Sequence, residues 1–144
     1  MAEIVKEIMD DKRVTVFKIK GRMNSDQIVE EITRFYENNF TEHTLWDLTE
    51  ADLKHITTNE VQKIANHSKE YGHLRKNGRT ALVMPSSLAF GLGRMYDSIT
   101  QVISHPVKHG VFRNFKDAIS WIGVGKQPDY PLIPGESDAA TEAV

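Results

Sequence analysis

Four times along this chain a short run rich in β-branched and aromatic residues leads into a longer stretch whose apolar residues recur every three or four positions. That alternation restricts the fold more than any other feature, because a helix inserted between two strands lets them run parallel in one sheet. "RVTVFKIK" leads into "MNSDQIVEEITRFYENN" and "HTLWDLT" into "ITTNEVQKIANHSKEYGHLRK". "RTALVMP" leads into "SSLAFGLGRMYD", and "GVFRNF" into "NFKDAISWIG". A further strand, "EIVKEIM", precedes them across the turn "DDKR". The order ββαβαβαβα predicts an α/β fold: a mainly parallel mixed sheet with an N-terminal β-hairpin, right-handed crossovers and four helices.

Local chemistry places the helix starts. Asn24 can cap the first helix with Gln27 answering three residues later, and Met23 with Ile28 supplies a hydrophobic staple. Ile28, Ile32 and Phe35 form its inward stripe. Thr57 and Glu60 have capping-box spacing for the second helix, whose inward face is Val61, Ile64, Ala65 and Ser68. Asn77-Gly78 closes that helix; Asn114 caps the last one and Gly123 lies just past its end. Residues 1–124 form a single domain on this reading, and residues 125–144 a tail that holds three of the five prolines and ends small and acidic.

Charge and composition exclude several roles. A net charge of −2 lacks the basic excess of a nucleic-acid surface. With no cysteine, thiolate metal sites and cysteine nucleophiles are impossible. No apolar run approaches the roughly 20 residues of a membrane span, and "MAEIVKEIMDDKR" lacks the apolar run of a signal peptide, so a cytoplasmic protein is expected. His67 and His73 stand six apart, about 240° around a helix, which is wrong for a zinc pair; His105 and His109 flank Pro106 without a carboxylate nearby in sequence. "GLGR" lacks the third glycine of a dinucleotide fingerprint. Asp52 suits a turn cap better than a general base. No catalytic, metal or cofactor set emerges.

The stretch "SSLAFGLGRMYD" is the unusual one. Ser86 can cap, ahead of Ser87 and an electropositive helix start. With Leu88 at zero, Leu92, Met95, Tyr96, Ile99, Val102 and Ile103 fall in an apolar stripe from about −40° to +80°. Phe90 lands near 200°, with Arg94, Asp97 and Gln101 on the polar side. Gly91 and Gly93 loosen the helix and allow close approach of a backbone or a ligand. Two readings of Phe90 stand: it tucks under a loop, or it contacts a partner, a second subunit or an amphiphilic ligand.

"LWDLTEADL", "ALVMPSSLAFGLGRMYD" and "VFRNFKDAISWIG" together resemble the SpoIIAA-like (STAS) family of small bacterial proteins. The likeness runs from about Ile4 to Gly123, and Ala89–Asp97 is its most specific part. It implies a β-α superhelix with strands in sequential order, helices mostly on one face and no catalytic residues. The wider fold group includes anti-sigma-factor antagonists and has a distant likeness to CRAL-TRIO lipid-transfer domains. The antagonists are switched by phosphorylation of a serine at the start of the helix after the third strand. The matching region is "HITTNE", where Thr57 and Thr58 are the nearest hydroxyls. The antagonists' Asp-Ser pair is absent, and Thr57 already has a cap to form.

Two functions therefore remain. One is a non-catalytic regulatory or protein-interaction module, self-associating or binding a protein through Ser86, Ser87, Phe90, Gly91, Gly93, Arg94 and Asp97. The other is a carrier or sensor of a small apolar or amphiphilic ligand, which calls for a pocket of roughly 300 Å³ reaching Phe90.

Overall fold

Alternation along the strands decides which residues face which layer. In the computed structural model, which describes residues 2–84 and 86–124, five strands form one sheet in sequential order. β1 (Glu3–Met9) and β2 (Val14–Arg22) are an antiparallel hairpin closed by a 3-10 turn, with Arg13 in the left-handed region at φ 55°. β3 (His43–Asp52), β4 (Arg79–Val83) and β5 (Lys108–Phe112) continue the sheet in parallel. The four helices are α1 (Ser25–Glu37), α2 (Thr58–Gly72), α3 (Ser87–Val102) and α4 (Phe115–Val124).

Each face of the sheet has its own core. Phe17, Ile19, Leu82 and Val111 point toward α1, α2 and α3 and cluster with Ile28, Ile32, Phe35 and Ile64. Val14, Val16, Leu45, Ala81 and Val83 point the other way, onto Ala118, Trp121 and Ile122 of α4. The expected inward stripes of α1 and α2 are all buried. The tail expected over residues 125–144 lies outside the described residues.

Three local expectations need correction. Asn24 caps α1 through Asp26 and Gln27 N–H groups, but the Gln27 side chain does not answer it. Gln27 instead grips the backbone of Ala2, donating to its carbonyl at 2.7 Å and accepting its N–H at 3.2 Å, which ties the start of the chain to α1. The last strand begins at Lys108 and stops at Phe112; Asn114 is already turning to cap α4, accepting the Asp117 N–H at 2.9 Å. Gly123 lies within α4, not past it.

The largest correction concerns α3. Its buried residues are Ala89, Gly93, Asp97 and Thr100, a line rotated by roughly 100° from the apolar stripe. Leu88, near the middle of that stripe, and Val102, at its edge, are 61% and 83% exposed. The cause is the missing side chain at Gly93. A Cβ there would lie 2.4 Å from Met84 Sδ and 2.9 Å from Val111 Cγ1, so the helix backbone rests directly on the sheet along this line. Gly91 is different, with nothing within 4 Å of a Cβ.

The two glycines should thus respond oppositely to alanine. Gly91→Ala is expected to raise stability by about 0.5–1 kcal/mol through helix propensity. Gly93→Ala gains the same propensity but forces Val111 and Met84 aside at about 1–3 kcal/mol, giving a net loss. Urea midpoints of the two variants check this; a stabilised Gly93→Ala would mean the packing yields more readily than the contacts imply.

Candidate ligand-binding site

Parallel register brings four polar residues into one row across the sheet. Thr15 pairs with Thr44, Thr44 with Thr80 and Thr80 with His109, all on the face covered by α1, α2 and α3. One step further along the strands the row is Phe17, Trp46, Leu82 and Val111. The helix-covered face is therefore polar near the starts of the parallel strands and apolar beyond. Thr44 and Thr80 share a buried hydrogen bond of 3.0 Å.

A cavity of about 90 Å³ lies against these two rows. The sheet contributes Ile19, Thr44, Trp46, Leu48, Thr80 and Leu82 to its wall. The helices add Ile32, Phe35 and Tyr36 from α1, Ile64 and Ser68 from α2, and Leu92 and Tyr96 from α3. Trp46 stacks on Phe17 at 4.2 Å, in the central strand under three helices, yet it is only half-buried because its ring borders this space. The wall includes Arg75, Tyr36, Thr44, Thr80, Ser68 and Tyr96 as its polar members; Met23, Leu53 and Ile56 belong to the apolar remainder.

The polar end is an ordered network. Arg75, 5% exposed, donates from Nε to Tyr36 Oη at 2.9 Å, from one terminal nitrogen to the Glu42 carbonyl at 2.8 Å and from the other to Thr80 Oγ1 at 2.9 Å. Its guanidinium also lies 5.4 Å from the Phe35 ring centroid. Nearby, His105 Nδ1 accepts the Val107 N–H at 3.1 Å, so in the neutral ring Nε2 carries the proton and donates it to Ser68 Oγ at 2.9 Å. Burial and the Arg75 charge push His105 down to about 4. His109, its ring 4.6 Å from that of His105, donates Nδ1–H to the Val107 carbonyl and is held well below the usual histidine range by burial, His105 and Arg75. Tyr96 is pushed up to about 12 by burial, partly offset by a hydrogen bond from Ser68.

Ser68 beside His105 superficially suggests a nucleophile with its base. The geometry reverses the roles: the basic lone pair of His105 is occupied by backbone, and the ring gives Ser68 a proton instead of taking one. What this arrangement can do is hold a polar group.

The residues singled out at the start of α3 do not gather into one site. Ser86 caps the helix, accepting the Ala89 N–H at 3.1 Å, and Ser87 is exposed. Phe90 is half-buried against the main core instead of standing on a polar face, with Arg113 4.2 Å and Arg94 5.9 Å from its ring centroid. Asp97, expected on the polar side, is buried; burial raises its carboxyl to about 6, against a Gln101 hydrogen bond and the Arg94 charge. Thr57 accepts the Glu60 N–H at 3.1 Å while Glu60 accepts the Thr57 N–H at 2.9 Å. A phosphate on Thr57 would replace this cap and face the Glu60 carboxylate. Thr58 is exposed in the first turn of α2. Asp52 does cap a turn, accepting the Lys54 N–H at 3.1 Å.

The cavity does not border Phe90, and it is well below the roughly 300 Å³ of a pocket for a drug-sized ligand. Arg75, Thr44, Thr80, Trp46 and Ser68 were not singled out as site residues from sequence. A signal was present: "VTV", "HTL" and "RTA" each place a threonine at the second position of a strand, so parallel alignment lines the hydroxyls up.

No family model and no curated protein matches the chain. Among solved structures it is similar to an uncharacterised DUF3478-family protein with a SpoIIAA-like fold from Shewanella loihica PV-4, with a TM-score of 0.53 at 21% identity, covering 84% of this chain and 93% of that one. It also matches an antisigma-factor antagonist STAS domain from Rhodobacter sphaeroides (TM-score 0.37, 11% identity, 58% and 86% of the two chains). The anti-sigma factor antagonist SpoIIAA in its unphosphorylated form gives 0.39 at 14%, over 74% and 86%. The fold is SpoIIAA-like, as the sequence resemblance implied. Among the described residues no helix is long and apolar enough to cross a membrane.

The shifted groups make opposite pH predictions. Asp97 has a folded value near 6, above its ordinary 3.8, so its ionisation opposes folding, and stability should fall as pH rises from about 4 to 6. Asp97→Asn should remove that fall and be more stable than wild type at pH 7.5, by up to about 3 kcal/mol. His105 is lowered to about 4 from 6.5, so its contribution is present above pH 6.5 and lost on acidification toward 4. His105→Gln should flatten the acid limb. Denaturant midpoints from pH 4.5 to 8 read both effects; slopes unchanged in the two variants would reject these assignments.

Proposed function

We propose that this SpoIIAA-like fold serves as a non-catalytic regulatory binding module whose working element is α3, with a small apolar or amphiphilic ligand on its inner side and a protein contact on its outer side. The observation carrying this reading is that α3 presents apolar residues both ways. Leu92 and Tyr96 border the cavity, while Leu88, one turn before Leu92, is 61% exposed and Phe90, on the other side of the helix, is half-buried.

Close-packed interiors leave few spaces larger than a water molecule, so a partly open, mainly apolar cavity of about 90 Å³ between sheet and helices supports a binding role. Its size suits a ligand of few heavy atoms, or a longer one for which Met23 and Met84, flexible side chains on its wall, shift aside. The absence of an available base at Ser68 favours binding over turnover. On the outer side, Leu88 next to the bare surface of Gly91 offers an exposed apolar contact, while the Arg94 and Arg113 guanidinium groups lie against Phe90. A second copy of this chain is the simplest partner for it.

Two measurements test the two sides separately. Titration with 1-hexanol should change Trp46 fluorescence saturably, and Leu92→Phe, which fills the cavity, should abolish the change while the fold persists by circular dichroism. A linear, unsaturable response in wild type would remove the ligand from this reading. Sedimentation velocity should show concentration-dependent association that Leu88→Asp weakens at least about tenfold, the effect expected of one central apolar contact. A monomer at every concentration would remove the second copy as the outer partner.

A further inference from the structure

The chemistry around Arg75 narrows the ligand class, and it rests on the inner-side reading above. We infer that the cavity takes a monocarboxylate with a short aliphatic chain, its carboxylate on the Arg75 guanidinium and its chain against Trp46, Leu82 and Ile64.

Arg75 is almost wholly buried, and every acceptor it uses is neutral: a phenol, a backbone carbonyl and a threonine hydroxyl. Among the described residues no carboxylate lies within 4 Å of it. Glu42, whose carbonyl Arg75 uses, has its carboxylate on Arg13 at 2.7 Å, and the remaining titratable groups at this end bring no compensating charge. His105 and His109 are held neutral and Tyr96 stays protonated. Burying a cation without a counter-charge is unfavourable even when its N–H groups are hydrogen-bonded. A structural tie from α2 to β3 and β4 could be made more cheaply by neutral donors.

Donor arithmetic points the same way. A guanidinium has five N–H groups. Three are used, and each terminal nitrogen retains one. Two N–H groups on adjacent nitrogens form the fork that a carboxylate meets with two parallel bonds. A phosphate monoester, with close to two charges at neutral pH, would need a second cation; among the described residues of the cavity wall the polar side chains besides Arg75 are hydroxyls, at Tyr36, Thr44, Thr80, Ser68 and Tyr96. The remainder of the wall is hydrocarbon, matching an aliphatic chain. Volume limits chain length: a core cavity of about 150 Å³ holds benzene, so 90 Å³ excludes a membrane lipid, and a six-carbon chain enters only as Met23 and Met84 on the wall yield.

Calorimetric titration of the full chain at pH 7.5 with hexanoate, 1-hexanol and hexyl phosphate tests this, with 5-fluorotryptophan labelling to locate binding. Hexanoate is expected to bind at least about tenfold tighter than hexanol, the gain typical of charge-assisted hydrogen bonds. The 19F signal of Trp46 should move while that of Trp121, on the opposite face of the sheet, stays. Arg75→Met should erase the preference for hexanoate while hexanol still binds. Should that variant not fold, Arg75→Lys keeps the charge without the fork and is expected to lose most of the preference. Equal affinities of hexanoate and hexanol in wild type would overturn the carboxylate assignment while leaving an apolar site. A preference for hexyl phosphate, or a hexanoate preference that survives Arg75→Met, would overturn it too. No saturable binding of any of the three would overturn the inner-side reading itself.

Discussion

The parallel register of β2 through β5 is the constraint on which the rest of the structure depends. Side chains alternate across a sheet with a period of two, so a slip of one residue in any strand would exchange its two faces. In the observed register, Thr15, Thr44, Thr80 and His109 share a row, as do Phe17, Trp46, Leu82 and Val111. A slip would send Thr80 toward α4 and deprive Arg75 of one of its three acceptors. The polar and apolar ends of the cavity are thus set by backbone pairing before any helix is placed. Residues contributed by α1, α2 and α3 then complete walls whose polarity is already decided.

Arg75 links that sheet to the helices. It follows α2 directly, in a 3-10 turn, and reaches Tyr36 on α1, Glu42 before β3 and Thr80 on β4. A single guanidinium therefore ties Tyr36 and Glu42, both distant in sequence, to the nearby Thr80, a span that a shorter side chain could not cover. Burial is the main reason His105 and His109 stay neutral, and the Arg75 charge adds to it. Structural tie and candidate anion receptor are one residue, so the polar end is rigid where a ligand's head would sit. The apolar end is walled by Met23, Leu53 and Ile56, whose ties are through the backbone: Met23 to Asp52 and His55, and Ile56 to Leu53.

On α3 the contact line is chosen by a residue that contributes no side chain. Amphipathicity arguments weight large apolar residues, which on this helix lie over Leu88, Leu92, Tyr96 and Val102. Packing favoured close approach at Gly93 onto Met84 and Val111, which turned the helix and moved Leu88 and Val102 to the outside. Asp97 went inside with the same rotation. For α1, whose inward Ile28, Ile32 and Phe35 are large and apolar, and for α2, where Val61 and Ile64 carry the face with Ala65 and Ser68 beside them, hydropathy and packing agreed and the expected faces are those observed. The failure on α3 and the success on α2 have one cause: the hydropathy wheel is reliable where the residue that packs is also the residue that is apolar.

Element order, strand polarity, the N-terminal hairpin and the Thr57–Glu60 capping box were all determined by the sequence alone, because each depends on residues within a few positions of one another. The resemblance to SpoIIAA-like proteins was legible for the same reason, in contiguous segments that keep their order. The cavity, the threonine row and the placing of Arg75 under three helices were decided only by the tertiary structure. They join residues more than thirty positions apart, such as Tyr36 with Arg75 and Thr44 with Thr80, and depend on how closely α3 settles on the sheet. No local pattern encodes that distance; it follows from the side chain that Gly93 lacks and the ones that Met84 and Val111 possess.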